Sequence, residues 1–177
     1  MTSTRSETRR RLLFAATLLA LPGAARTEEF PEISWEDLVP KDWDPMKSLE
    51  GLQVPSYLHD ADPRAQALMK RIREILDNAP TVPAMAGRKV RLPGYLVPLE
   101  EDERGVGEFL LVPYFGACIH SPPPPANQIV HVRADKPVRG LRTMEAVWVS
   151  GTLRIDRSDT GMGVSGYVMD ARRVVRY

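Results

Sequence analysis

Prolines occur along most of the chain, and they limit what it can fold into. The sequence of 177 residues contains 16 prolines against four phenylalanines. Proline lacks a backbone N–H and disrupts the interior of a helix, but it is tolerated at turns, bulges and strand edges. The distribution therefore predicts short extended segments joined by rigid corners, and it excludes a helical bundle. The length is that of one ordinary domain with additions.

Composition and charge exclude several classes of protein. Hydrophobic residues make up 43% and charged residues 27%, which is typical of a globular chain. The chain has 24 Lys and Arg against 23 Asp and Glu, so no strongly basic surface for nucleic acid is expected. The single cysteine excludes an intramolecular disulfide and a multi-cysteine zinc site.

Residues 1–25 have the pattern of an export signal. Basic residues between Arg5 and Arg11 precede a ten-residue apolar run, residues 12–21. Ten helical residues rise about 15 Å, half the hydrocarbon core of a bilayer, so we expect a cleaved signal peptide and no stable membrane anchor. The arginines are consistent with either twin-arginine or Sec export. We therefore predict a periplasmic protein, and its mature part is slightly acidic.

Two segments precede the strand-rich part of the chain. Residues 26–61 contain four prolines and two tryptophans, which predicts an extended arm whose Trp and Leu side chains pack on a core elsewhere. Asp62 and Pro63 are residue types that favour a helix N-cap and first helical position. Apolar residues at helical spacing follow, so we predict one helix at about 62–78. Arm and helix together form the region 26–86.

From Gly87 onward the sequence predicts strands. Five segments have strand-like patterns: Lys89–Leu99, Glu108–Phe115, Gln128–Arg133, Ala146–Ile155 and Tyr167–Val175. Glycines and prolines inside them indicate bends, as in a strongly coiled sheet. The connections between the strands, including Ser158–Gly166, are predicted turns and loops. We predict a mainly β protein, with a small antiparallel OB-like β-barrel over residues 87–177, one N-terminal helix and the extended arm.

The loop of residues 116–126 has the most unusual sequence. Cys118 and His120 lie two positions apart, so in an extended backbone their side chains point to the same side. A thiolate and an imidazole are ligands that zinc and copper select. Four consecutive prolines, residues 122–125, stiffen the chain beside them. The loop therefore predicts a metal site in which Cys118 and His120 are the primary ligands.

Two ligands do not complete such a site, and the sequence offers several secondary candidates. These are Glu100, Glu108, His131, Met162 and Met169. Carboxylate or imidazole partners would favour zinc, whereas the thioethers would favour Cu(I) as the alternative. The methionines are also ordinary core residues.

Other interpretations of the same loop remain open. Cys118 is equally consistent with a buried structural thiol, with His120 hydrogen-bonded to the backbone. A thiol nucleophile activated by His120 is a third interpretation. No motif for an oxyanion hole or a second base accompanies it, so we expect no enzyme.

Four stretches of the sequence carry a family resemblance. They are SWEDLVP, KVRLPGYLVPLE, EFLLVPYFGACIHSPPPPANQIV and AVWVSGTL, within residues 31–177. They resemble a bacterial domain-of-unknown-function family, number 3299, whose members are secreted proteins and lipoproteins often encoded near zinc-regulated ABC transporters. The resemblance implies a role in metal uptake or trafficking. It also implies an aromatic residue where this chain has His131, which makes His131 a secondary candidate.

Two functions are consistent with these observations. The leading hypothesis is a periplasmic metal-binding accessory protein that contains zinc, with copper as the alternative. Its partner would be an ABC-type metal transporter or the binding protein of that transporter. The alternative is a non-catalytic OB-like interaction or assembly module with a structural Cys118. Neither hypothesis includes a nucleic-acid partner.

Overall fold

Five strands form most of the structure. The computed structural model describes residues 29–48, 50, 61–117 and 124–177, so the predicted signal peptide, Cys118 and His120 lie outside the described residues. The strands, numbered β1 to β5 in chain order, are Lys89–Asp102, Gly105–Val112, Val130–Val138, Ala146–Asp159 and Val164–Arg176. The prediction of a mainly β protein is therefore confirmed.

The strands close into a barrel in the order β1-β2-β3-β5-β4, with β4 pairing back onto β1. This is a five-stranded Greek-key barrel of the OB type. Four of its five pairings are antiparallel, whereas β3 and β5 run parallel. The predicted small antiparallel OB-like barrel is therefore confirmed, and β3 with β5 is its one parallel pairing. Once β5 lies between β3 and β4 and pairs antiparallel to β4, closure of the barrel fixes its direction relative to β3.

Strand β1 belongs to both halves of the barrel because it changes partner along its length. Its first half pairs with β4 and its second half with β2, and Tyr95 pairs with both neighbours. Gly94 lies at this change of partner. A Cβ at Gly94 would lie 2.8 Å from Leu111 Cγ and from the carbonyl oxygen of Val112, so only glycine fits there. Pro93 and Gly94 are among the residues that predict bends in the strands, and at Gly94 the reason is that β2 passes close to the backbone.

Alternate residues of each strand fill the barrel interior, as the period of two requires. Phe109, Tyr167 and Met169 are among the largest fully buried side chains in this core. The predicted arm contributes to the same core through Ile33, Trp35 and Leu38. The N-terminal segment therefore completes the barrel.

The arm is attached to β1 by backbone and side-chain hydrogen bonds. The N–H of Arg91 donates to the carbonyl of Pro31 at 2.8 Å, and the N–H of Ile33 donates to the carbonyl of Arg91 at 3.0 Å. Trp35 begins a single 3₁₀ turn, Trp35–Leu38, and its Nε1 donates to the carbonyl of Pro93 at 2.7 Å. The arm thereby pairs with the part of β1 that β2 does not reach.

The Tyr167 hydroxyl connects two segments across the end of the barrel. It accepts the N–H of Val82 at 2.7 Å and donates to the carbonyl of Leu38 at 2.8 Å. Tyr167 is fully buried, and burial raises the pKa of its phenol. Val82 precedes a second 3₁₀ turn, Pro83–Met85, and Leu38 ends the first one. One side chain therefore satisfies a backbone donor and a backbone acceptor that are distant in sequence.

The predicted helix is present as Pro63–Asp77. The Asp62 carboxylate caps it by accepting the N–H of Arg64 at 2.8 Å. Leu76 is buried, and the Arg157 guanidinium donates to the carbonyl of Asp77, which ties the end of the helix to β4. A four-residue helix, Pro45–Ser48, precedes it. Within the described ranges, no helix is long and apolar enough to cross a membrane.

We predict that Tyr167→Phe destabilises the protein by about 2–4 kcal/mol, because a buried N–H and a buried carbonyl each lose a partner. Chemical denaturation at pH 7 measures this loss. The control is Tyr177→Phe: Tyr177 is 78% exposed, so its substitution should change stability by less than about 0.5 kcal/mol. Equal effects of the two substitutions would contradict the role of the Tyr167 hydroxyl.

The stability of the barrel should also fall in alkali. The pKa of Tyr167 is raised in the folded state, so the unfolded chain loses this proton first as pH increases. The neutral Tyr167 phenol therefore contributes fully to the free energy of unfolding below pH 10, the ordinary pKa of tyrosine. This contribution is lost as the pH rises towards the pKa of Tyr167 in the folded protein. Denaturation between pH 8 and pH 11 should show a shallower fall for Tyr167→Phe than for the unmodified protein. Parallel curves would contradict this prediction.

Candidate functional site

The outer face of β2 and β3 has a buried histidine at its centre. Val130 and Val132 point into the barrel, so His131 between them points outward. Its side chain is nevertheless only 5% exposed. A buried outward-facing imidazole requires partners for both ring nitrogens, and the neighbouring strands supply them.

Glu108 and Ser158 are these partners. Nε2 of His131 lies 3.0 Å from Oε2 of Glu108 on β2, and Nδ1 lies 3.0 Å from the hydroxyl oxygen of Ser158 on β4. The Glu108 carboxylate accepts only, so in neutral imidazole Nε2 carries the proton and Nδ1 accepts from Ser158. The Glu108 side chain is 40% exposed, so solvent reaches the carboxylate side of the pair.

The arrangement continues on both sides of His131. On one side the guanidinium of Arg133 lies 3.9 Å from Oε1 of Glu108. On the other side Ser165 of β5 is the register partner of Ser158. Ser165 is fully buried, and among the described residues its hydroxyl has no hydrogen-bond partner. We call Glu108, His131, Ser158 and Ser165 the polar row.

An apolar cluster on the outside of the barrel adjoins the polar row. Leu110, the register partner of His131, packs there with Ala117 and Ile129. Ala117 is the residue before Cys118 and Ile129 precedes β3, so both flanks of the predicted metal loop contact this cluster. Ala126, which is also buried, lies against Gly166 of β5. The described ends of the loop are therefore close to the strands on both sides of His131.

The structure brings together two of the secondary ligand candidates, Glu108 and His131. Glu100 is the register partner of Glu108 on β1 but is exposed to solvent. Met162 is 43% exposed in the turn between β4 and β5, whereas Met169 is fully buried in the barrel interior. The two primary candidates, Cys118 and His120, lie outside the described residues. Within the described ranges, no three His, Cys, Asp or Glu side chains converge on a common metal position.

Two members of the polar row were absent from the sequence prediction. Ser158 was assigned to a turn, but β4 extends to Asp159, and a bulge between Ile155 and Ser158 shifts the register there. Ser165 was placed in the same predicted turn. The apolar-polar alternation does not extend through a bulge, because the bulge changes the face on which the following residues lie. No other signal in the sequence identified these two serines.

The fold and the polar row define a small OB-like β-barrel protein with a histidine-carboxylate pair on its outer face. The family model described as "Protein of unknown function (DUF3299)" matches residues 35–176. The chain therefore belongs to the DUF3299 family.

A solved structure supports the same assignment. The chain is similar to the crystal structure of a DUF3299 family protein from Pseudomonas aeruginosa PAO1, with 38% identity and a TM-score of 0.65. The match covers 85% of this chain and 97% of the other. No curated protein matches the sequence.

We predict that Glu108→Ala lowers stability by about 1 kcal/mol, because the buried Nε2–H of His131 loses its acceptor. The melting temperature should fall by about 2–4 °C. Glu100→Ala is the matched control, since it removes an exposed carboxylate from the paired position on the neighbouring strand. Thermal melts of both variants at pH 7 test the prediction, and a control that loses as much stability as Glu108→Ala contradicts it.

Proposed function

We propose that the protein is a periplasmic metal-binding accessory protein. In this proposal Cys118 and His120 are the primary ligands of a zinc ion, and Glu108 and His131 complete the site. The observation that carries the proposal is the contact between Glu108 and His131, two predicted ligand candidates that approach to 3.0 Å from different strands. The predicted signal peptide of residues 1–25 supports the location.

The separation of the two side chains suits a shared ion. Zinc holds imidazole nitrogen and carboxylate oxygen at about 2.0–2.2 Å, so in tetrahedral geometry two such atoms lie about 3.3 Å apart. The distance between Nε2 and Oε2 is close to this value. An ion at this position replaces the proton between them. Nδ1 of His131 then donates to the Ser158 hydroxyl, which fixes the orientation of the ring in the way that outer partners of metal ligands do.

The flanks of the loop support the contribution of Cys118 and His120. Ala117 packs beside Leu110, which is opposite His131 on β2, and Ala126 lies against Gly166 of β5. Eight residues, 118–125, separate Ala117 from Ala126 in the chain, and they include Cys118 and His120. A cysteine, two histidines and a glutamate form a set of donors that zinc accepts.

The positions of the two methionines also favour zinc over copper. The copper alternative depended on the thioethers of Met162 and Met169, but Met169 lies inside the barrel and Met162 in an exposed turn. A carboxylate and an imidazole are the donors available on the outer face, and they favour zinc over Cu(I). The proposed partner is an ABC-type metal transporter or its binding protein, on the theme that the family resemblance implies.

The direct test is elemental analysis of mature protein purified without a metal-affinity tag. We expect one zinc per chain. Cys118→Ser and His120→Ala should each weaken zinc binding about 100-fold, and Glu108→Gln about 10–100-fold. Glu100→Gln is the control and should change the affinity less than threefold. Metal-free protein that also fails to bind added zinc in competition titrations would refute the proposal.

Zinc binding should release protons. The thiol of Cys118 must lose its proton when the ion binds, whereas the Nε2 proton of neutral His131 moves to Nδ1 and is not released, so affinity should fall as pH is lowered. Calorimetry in buffers of different ionisation enthalpy measures the number of protons released. We expect a smaller number for Cys118→Ser than for the unmodified protein. No proton release at pH 7 would exclude the proposed set of ligands.

A further inference from the structure

The barrel is open along one seam, between the last parts of β3 and β5. The parallel ladder of these strands ends at the pair Ala134–Ala171. Beyond Ala171, β5 continues to Arg176 and pairs with β4 alone. In the described ladders no strand lies on the other edge of this segment, residues 172–176, which we call the free edge.

Two irregularities open the seam. In β5, Arg173 pairs with Ser150 and Ala171 pairs with Gly151, so Arg172 is an extra residue in a bulge. In β3, the ladder with β2 passes from Arg133 directly to Val138, so four residues of β3 oppose Gly107 alone. Bulges bend a strand away from its neighbour, and these two bend β3 and β5 apart.

The seam forms a groove with basic walls. Residues 134–139 line one wall and residues 171–174 the other, around a volume of about 420 Å³. An adjoining groove of about 550 Å³ extends it along the closed part of the ladder, as far as Arg133 and Asp170. The cations that line the two grooves are Arg133, Lys136, Arg139, Arg172 and Arg173.

The five cations outnumber the two acidic residues that line the grooves, Asp135 and Asp170. Asp170 pairs with Arg154 at 3.0 Å, and Arg133 lies 3.9 Å from Glu108. Arg172 reaches Asp135 across the groove at 3.5 Å, and both side chains are more than half exposed. Arg139 donates to the backbone carbonyl of Arg104. Among the described residues, Lys136 and Arg173 form no ion pair. An exposed pair contributes at most about 1 kcal/mol, so a carboxylate from another molecule readily displaces Asp135.

We infer that the free edge and its basic groove bind an acidic segment of a partner protein in extended conformation. The backbone of such a segment pairs with residues 172–176 as an added strand, which is a recurring mode of peptide recognition. Acidic side chains at alternate positions lie on one face of the added strand and meet Lys136 and Arg173. The groove thus supplies charge selection and the edge supplies backbone hydrogen bonds.

The same residues discourage the most common unwanted occupant, a second copy of this chain. Two free edges placed together would bring arginines against arginines, and like charges on an edge are a known defence against such pairing. Pro137, on the opposite wall, has no N–H to offer to a ladder. The edge is therefore blocked to a copy of itself but open to a strand of opposite charge.

The first test uses a capped seven-residue peptide with glutamate at alternate positions and threonine or valine between them. We expect it to bind the full chain, and Lys136→Glu with Arg173→Glu to weaken binding at least tenfold. The control is Lys70→Glu with Arg73→Glu, on the helix Pro63–Asp77 and outside the residues that line the groove. It makes the same change in net charge and should alter binding less than threefold. Fluorescence anisotropy measures these affinities, and no binding at millimolar peptide overturns the inference.

The second test separates strand addition from simple attraction between charges. The same peptide N-methylated at alternate residues keeps its charge but loses ladder donors, so it should bind at least tenfold more weakly. Hydrogen exchange should also slow in residues 172–176 when the unmodified peptide binds. Equal affinity of the N-methylated and unmodified peptides overturns the proposal. Equal affinity of a peptide in which lysine replaces each glutamate does the same. So does a concentration-dependent dimer that Lys136→Glu with Arg173→Glu dissociates.

Discussion

The rest of the structure depends on the two hydrogen bonds of the Tyr167 hydroxyl, which connect the segments that cover one end of the barrel. A closed sheet has no free edges where its strands pair, but its ends still expose the core to water. Here the arm and the turn before β1 cover one end, and each presents a backbone group to the same phenol. A buried backbone donor and acceptor without partners would each cost about 1–3 kcal/mol. The hydroxyl makes this cover compatible with a dry core.

The cover also determines what the outer faces of the barrel can do. The arm packs into the barrel core, whereas Ala117 and Ile129, on the two sides of the Cys118 loop, pack on the outside with Leu110. This packing brings the flanks of the Cys118 loop to the face that carries His131 and Glu108. The basic seam lies where β3 and β5 separate, at the other end of the same parallel ladder. Metal binding and peptide binding are therefore proposed for neighbouring surfaces that meet at Arg133, and the residues substituted to test one proposal lie outside the other.

Local patterns predicted the elements whose causes are local. The helix Pro63–Asp77 follows from an N-cap aspartate, a proline at the first position and an apolar face. The arm was predicted to pack on a distant core, and Trp35 and Leu38 do so. The strand boundaries were less accurate. The predicted charged turn after β1 is only two residues long, because Asp102 pairs with Gly105 and β2 begins three residues earlier than predicted. A paired strand can include charged residues when one of its faces is exposed to solvent.

The sequence by itself determined the class of fold and the residue types from which a site can be built. Proline spacing, strand periodicity and the rarity of cysteine are properties of the chain that no folding partner changes. Only the tertiary structure decided which of these residues meet. The parallel pairing of β3 with β5, the contact between Glu108 and His131, and the recruitment of Ser158 all depend on barrel closure and bulges. Closure of the barrel joins residues that are far apart in the chain. After a bulge, each residue lies on the opposite face of the sheet from the one that simple alternation predicts. Local periodicity therefore reveals neither effect.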